Sequence, residues 1–237
     1  MASAPAELNG TLKKAIKKYP SKRLFKNPFL EFLTHVHPIT PLVLWAPVIG
    51  FFIWKSLQGS PQSDLTPSGV GAWMILGLLV WTVSEYGMHR YIFHFKSENS
   101  FLKTLVYLFH GIHHEQSDDP TRLVMPPIAA ILFASIYYLI FRALLGSVII
   151  EAFFPGFLIG YLWYDYTHYA VHHFRLKSNW AIALKKYHMN HHFITPDQRY
   201  GVSSPLWDLI FGTFPKSVSV EESQQSKSSG PTSSPSH

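Results

Sequence analysis

Apolar residues run along this chain in four long blocks, not at the spacing of a half-buried helix or strand. Ile39–Leu57 and Val70–Tyr86 flank a short polar stretch, Gln58–Gly69, while Met125–Leu145 and Ser147–Tyr164 follow one another almost without a loop. Each block is close to the ~20 residues that an α-helix needs to cross the hydrocarbon layer. The pattern predicts an all-α integral membrane protein with four transmembrane helices in two hairpins. Pro41, Pro47, Pro126, Pro127 and Pro155 fall inside or at the ends of the blocks, where neighbouring helices can satisfy the freed carbonyls. Arg142 and Glu151 flank the tight second turn, where long side chains reach the interface.

Composition supports lipid as the solvent. Charged residues make up 14% of the chain and hydrophobic residues 47%, against about 25% charged in soluble domains. The 18 Phe, 12 Tyr and 7 Trp suit membrane interfaces as well as cores. The charge excess of +6 reads as topology and attraction to anionic lipid. No nucleic-acid-binding signature accompanies it. Residues 1–38 carry Lys13, Lys14, Lys17, Lys18, Lys22, Arg23 and Lys26 against two acidic side chains, as expected of a basic cytosolic or juxtamembrane arm. A cleavable signal peptide would place its apolar region nearer the start, so the N-terminus is expected to stay in the mature protein. Gln58–Gly69 has no Lys or Arg, which makes it lumenal by the positive-inside rule and puts both termini in the cytosol. Residues 39–215 form the membrane domain. From Lys216 the chain is rich in Ser, Gln and Pro, the composition of a disordered tail over 216–237.

Candidate chemistry lies in the histidines. Ten of the 14 fall into four patterns: His89 and His94 in HRYIFH, His110, His113 and His114 in HGIHH, His168 and His172 in HYAVH, and His188, His191 and His192 in HMNHH. All lie in, or at the helix ends bordering, regions that the Lys and Arg distribution alone makes cytosolic. A cytosolic helical cap over the membrane helices is therefore the expected place for them. Residues three and four apart share a helix face, so each HxxHH triplet is expected to aim three imidazoles at one point. Cysteine is absent, which excludes disulfides and thiolate sites. Neutral imidazole binds Fe, Zn, Cu and Ni. Ten imidazoles exceed one ion's needs; shared between two ions, they give five each. His35 and His37 read as ordinary hydrogen-bonded histidines. His173 reads as a support beside His172, which keeps helical spacing from His168. Glu85, four residues before His89, and Asp165, three before His168, are the expected carboxylate partners that orient metal-bound imidazoles.

The segments SEYGMHRYIFH, YLFHGIHHEQSDDPTRLVMPP, YDYTHYAVHH, LKKYHMNHHF and YGVSSPLWDLIFGT resemble the fatty acid hydroxylase superfamily, and within it the fatty acid 2-hydroxylases of sphingolipid acyl chains. The resemblance spans roughly residues 25–215. RLVMPP and the YGVSS-LWD-FGT ending are its specific parts. It implies that all ten histidines are dimetal ligands, and that the centre takes part in catalysis with O2. A di-iron centre is implied for activity, with zinc able to fill the sites in purified protein. It implies residence in the endoplasmic reticulum membrane and an acyl lipid substrate, a fatty acid or ceramide. Many members carry a fused cytochrome b5 domain, which the 38 residues ahead of the first block do not contain. That implies the short plant-type form, with cytochrome b5 as a separate electron donor. Ser117 departs from the proline that the resemblance implies. Ile92, Phe93 and Phe109 are candidates to line the acyl channel. The rival readings are a sterol or alkane oxidase or desaturase using the same centre, and a membrane metal transporter or store. A transporter would place its ligands within the span.

Overall fold

A computed structural model describes residues 21–58 and 65–215 of the protein. Most of the basic arm, the middle of Gln58–Gly69 and the Ser-rich tail lie outside the described residues. Those described form helices and connecting turns, with no strand among them. In chain order the elements are α1 (Pro28–Leu33), α2 (Thr40–Gln58), α3 (Pro67–Met88), a π-helical turn π1 (His89–Phe93), α4 (Ser100–Val106), a second π turn π2 (Tyr107–Gly111), α5 (Ile112–Glu115), α6 (Pro127–His173), α7 (Asn179–Phe193) and α8 (Leu206–Ile210).

Local chemistry sets the helix starts. Asn27, Thr66, Asn99 and Ser178 cap α1, α3, α4 and α7, each accepting a backbone N–H of the first turn through its side chain, as N-cap residues do. Pro28, Pro67 and Pro127 open α1, α3 and α6, where a missing N–H costs nothing. Thr40–Gln58, Pro67–Phe93 and Pro127–His173 are each long and apolar enough to cross a membrane. Their outward side chains, such as Phe51, Ile75, Leu139 and Leu144, are exposed, a belt of apolar surface that suits lipid.

α6 is two limbs. Gly146 adopts φ 81 and ψ 172, a backbone conformation essentially reserved for glycine, and the chain doubles back there. Across the turn Tyr137 meets Phe157 at 5.0 Å between ring centroids, Tyr138 meets Phe154 at 5.1 Å, and Phe141 meets Phe153 at 4.9 Å. The limbs are thus an antiparallel pair hinged on the residue between the third and fourth apolar blocks.

Close approach locks α3 to the second limb. A Cβ on Gly156 would lie 1.9 Å from the Met74 carbonyl oxygen, and one on Gly77 would lie 2.1 Å from that of Phe153. Further along, Trp81 packs edge-on against Phe157 and Tyr161 at 5.1 and 5.4 Å. Contacts advance in the same direction on both helices, so α3 runs parallel to the second limb. α2 runs antiparallel to that limb, with Trp45 against Tyr161 and Phe52 against Phe154. The ends of α3 and α6 therefore emerge together and carry His89, His168 and His172. At the opposite end Lys55 pairs with Glu151 at 2.5 Å.

Candidate metal centre

The two π turns bring the first histidines into position. In π1 the N–H of His94 bonds back to the carbonyl of His89 at 3.1 Å. An i→i+5 bond of this kind stacks His94 one turn above His89. On a regular α-helix a residue five along would point to another side. π2 precedes α5 and contains His110.

The ten patterned histidines converge as two groups of five. One holds His89, His94, His110, His114 and His191; the other holds His113, His168, His172, His188 and His192. Within each group one ring nitrogen per residue lies within 4.8 Å of all the others. The Nε2 atoms of His89 and His114 approach that of His110 to 3.0 and 2.9 Å, and His191 Nε2 lies 3.1 Å from His94 Nε2. In the second group His188 Nε2 lies 2.9 Å from His172 Nε2 and 3.0 Å from His192 Nε2. The groups adjoin, with the rings of His114 and His192 stacked at 4.1 Å.

This corrects the expectation that each HxxHH triplet serves one point. His110 and His114 share a group while His113 joins the other; His188 and His192 share a group while His191 crosses over. The reason is angular. Adjacent residues on a helix diverge by about 100°, so the HH pair straddles the gap between two neighbouring points. Pairs four apart stay together.

Imidazole nitrogens crowded this closely cannot all carry protons. Burial, followed by the neighbouring imidazoles, pushes the protonation of His110, His113 and His188 well below the ordinary histidine range. His94 falls to about 4 and His114 to about 2, again chiefly through burial. Both ring nitrogens of His168 are buried with no hydrogen-bond partner among the described residues, as are Nδ1 of His113, His188 and His192. Neutral imidazoles with free lone pairs, no thiolate and no carboxylate in either group form a donor set that fits a borderline divalent transition metal. The residues present suit such an ion.

Backbone carbonyls orient two of the imidazoles. His89 Nδ1 donates to the Tyr200 carbonyl at 2.5 Å, and His191 Nδ1 donates to that of Gln198 at 2.7 Å. Each bond fixes the tautomer that leaves Nε2 as the acceptor. Glu85 and Asp165, expected to play this part directly, make no hydrogen bond to the imidazoles among the described residues. Glu85 Oε1 accepts the N–H groups of Val202 and Ser203 at 2.8 and 2.7 Å. Asp165 accepts Met125 N–H at 3.3 Å and the Tyr161 hydroxyl at 3.2 Å. Both are buried, and they tie down the segments flanking the histidines. His173 lies outside both groups, its ring 4.9 Å from that of Tyr169 and its Nε2 buried without a partner among the described residues. His35 bonds Thr121 and Glu31, and His37 accepts Ile39 N–H. Ser117 is buried in an ordered turn closed by Gln116 N–H to Ile112 and Asp119 N–H to Gln116.

An apolar cavity of about 230 Å³ abuts His110 of one group and His113 and His168 of the other. Phe93 and Phe109 line it, as do Arg122–Pro126 of the RLVMPP segment; Ile92 does not. Leu24, Phe25, Leu30 and Leu33 of the N-terminal segment close one side. Arg122, almost wholly buried, holds that segment through Glu31 at 2.9 Å and the Lys22 carbonyl at 2.8 Å.

Comparison with known proteins places this architecture. A family model described as fatty acid hydroxylase matches residues 74–213. Dihydroceramide fatty acyl 2-hydroxylase FAH2 of Arabidopsis thaliana is 40% identical over 194 residues, covering 81% of this chain and 80% of that protein. Its relative FAH1 is 36% identical over 203 residues, covering 85% and 84%. The solved structure described as full-length scs7p, with only its hydroxylase domain visible, superposes with a TM-score of 0.75 at 35% identity, covering 81% of this chain and 72% of that one. With a family match over more than half its length, and relatives at 36% and 40% identity that cover 85% and 81% of it, the chain belongs to the fatty acid hydroxylase family, a metal-dependent family whose 2-hydroxylase members are oxidoreductases.

Proposed function

We propose that this chain is a fatty acid 2-hydroxylase acting on long or very-long acyl chains of sphingolipids, at a centre of two metal ions held by the ten patterned histidines. The observation that carries the reading is the placement of both five-histidine groups at the wall of one apolar cavity. His89, His94, His110, His114 and His191 would hold one ion, and His113, His168, His172, His188 and His192 the other. An unactivated C–H bond does not yield to acid–base chemistry, and a redox-active metal pair, expected to be iron, supplies the dioxygen activation it needs. Zinc lacks redox chemistry but suits the same imidazoles, so purified protein is expected to accept it.

The chain's own part is to bind, orient and exclude water. Phe93, Phe109 and the RLVMPP wall offer an acyl chain an apolar slot whose inner end reaches His110, His113 and His168. Leu24, Phe25 and Leu33 screen the slot from one side. The segment that separates 2-hydroxylases from sterol and alkane oxidases in the sequence is thus a wall of the cavity, which favours the acyl reading.

The remaining parts of the proposal rest on the charge distribution and on the family resemblance. With four spans, counting the limbs of α6 separately, the histidine end and both termini would face the cytosol, in the endoplasmic reticulum membrane that the resemblance implies. There a separate cytochrome b5 can deliver the two electrons that reduce the second oxygen atom to water. The domain limits remain 1–38, 39–215 and 216–237. The test is mass spectrometry of sphingolipids from cells lacking a 2-hydroxylase, with and without this chain. Expression should restore 2-hydroxylated acyl chains. Hydroxylated sterols with unchanged sphingolipids would move the assignment to the sterol branch.

A further inference from the structure

The segment Tyr200–Ser203 has no regular secondary structure, yet its four consecutive backbone N–H groups are all received by carboxylates. Tyr200 N–H donates to Asp208 Oδ1 at 2.8 Å and Gly201 N–H to Asp208 Oδ2 at 2.7 Å. Val202 and Ser203 donate to Glu85, as described above. Asp208 is wholly buried; the hydroxyl of Thr213 also donates to its Oδ1 at 2.7 Å, and the Tyr187 hydroxyl lies beside the carboxylate. A Cβ on Gly201 would lie 2.1 Å from the Ser204 carbonyl oxygen and 2.9 Å from Asp208 Oδ2, so glycine is what lets the backbone lie against this carboxylate. Bonds to a charged acceptor are roughly twice as strong as neutral ones. The carbonyl of the same Tyr200 accepts the Nδ1 proton of His89.

We propose that Asp208 is a positioning residue for the first histidine group: by holding the amides of Tyr200 and Gly201, it sets the carbonyl that fixes the tautomer and aim of His89. The proposal rests on the two-ion reading above. It predicts a one-sided effect. None of the five histidines of the second group hydrogen-bonds to residues 200–203 among the described residues, so that group should not depend on Asp208. In Asp208→Asn one oxygen becomes an NH2 group facing a backbone N–H, which breaks the clamp while keeping the side chain's size.

The experiment uses the full chain in detergent, stripped of metal and titrated with Co2+, followed by visible absorption and by competition with a chelator. Wild type should bind two ions. Asp208→Asn should keep one at wild-type affinity and bind the other ~10–100-fold more weakly, the usual effect of losing a support behind a metal ligand. Thr213→Val leaves both backbone contacts of Asp208 in place and should bind two ions as wild type does. Two ions at unchanged affinity in Asp208→Asn would overturn the proposal. Parallel weakening of both sites, or failure of Asp208→Asn to fold, would assign Asp208 to the fold alone and overturn it too. Wild type that binds fewer than two ions would strike the two-ion reading itself, and this proposal with it.

Discussion

Replacing His168 with alanine should abolish hydroxylation and empty one metal position while the other stays filled. His168 is buried, both its ring nitrogens have no hydrogen-bond partner among the described residues, and its ring sits 4.4 Å from that of His113 and 4.7 Å from that of His188. Removing a supporting group behind a ligand already weakens metal binding ~10–100-fold, so removing a ligand should exceed that range. Some thermal stability should go as well, because metal binding and folding are coupled. His173→Ala is the informative contrast. It adjoins His172 in sequence but lies outside both groups, so it should keep both ions and most activity. Elemental analysis and product formation in one preparation read both outcomes. Equal loss in the two variants would show that the grouping of five and five is wrong.

The second large effect concerns packing. Gly156→Ala should destabilise the protein by at least about 3 kcal/mol, the upper part of the range for overpacked sites, because its Cβ would collide with the Met74 carbonyl and not with a movable side chain. For a chain of this size that corresponds to a melting temperature lower by roughly 6–12 °C. Gly71→Ala, in the same α3 helix that Gly156 abuts, has nothing within 4 Å of the new Cβ and should be neutral or slightly stabilising, since alanine favours helix. Thermal unfolding in detergent compares them. Similar melting temperatures would mean that α3 and the second limb pack less closely than described.

Much of this architecture is legible along the chain because lipid imposes long apolar runs. The two limbs of α6 follow from the blocks on either side of Gly146, and the cap caps itself at Asn27, Asn99 and Ser178. The gathering of ten histidines follows from topology and spacing. Their division does not. An HxxHH triplet reads as one face until a second metal-sized group lies beside it; only then does the divergence of His113 from His114 matter. The π turn at His89–Phe93 has no side-chain signature, and it alone brings His94 onto the face of His89. The supports were harder still. Tyr200 and Gln198 act through backbone carbonyls, which any residue carries. Glu85 and Asp165 stand at helical spacing from histidines, but burial turns them toward backbone N–H groups and Tyr161. Asp208 sits in a motif that marks the family resemblance, yet only the folded loop shows what its carboxylate holds.

The most direct measurement of the central claim follows the oxygen atom. Purified protein loaded with iron, supplied with cytochrome b5, its reductase and an acyl lipid, should be run under dioxygen labelled with oxygen-18. The account predicts a hydroxyl at C2 of the acyl chain carrying the label, with none acquired from labelled water. A hydroxyl drawn from water, or placed at another carbon, would contradict it.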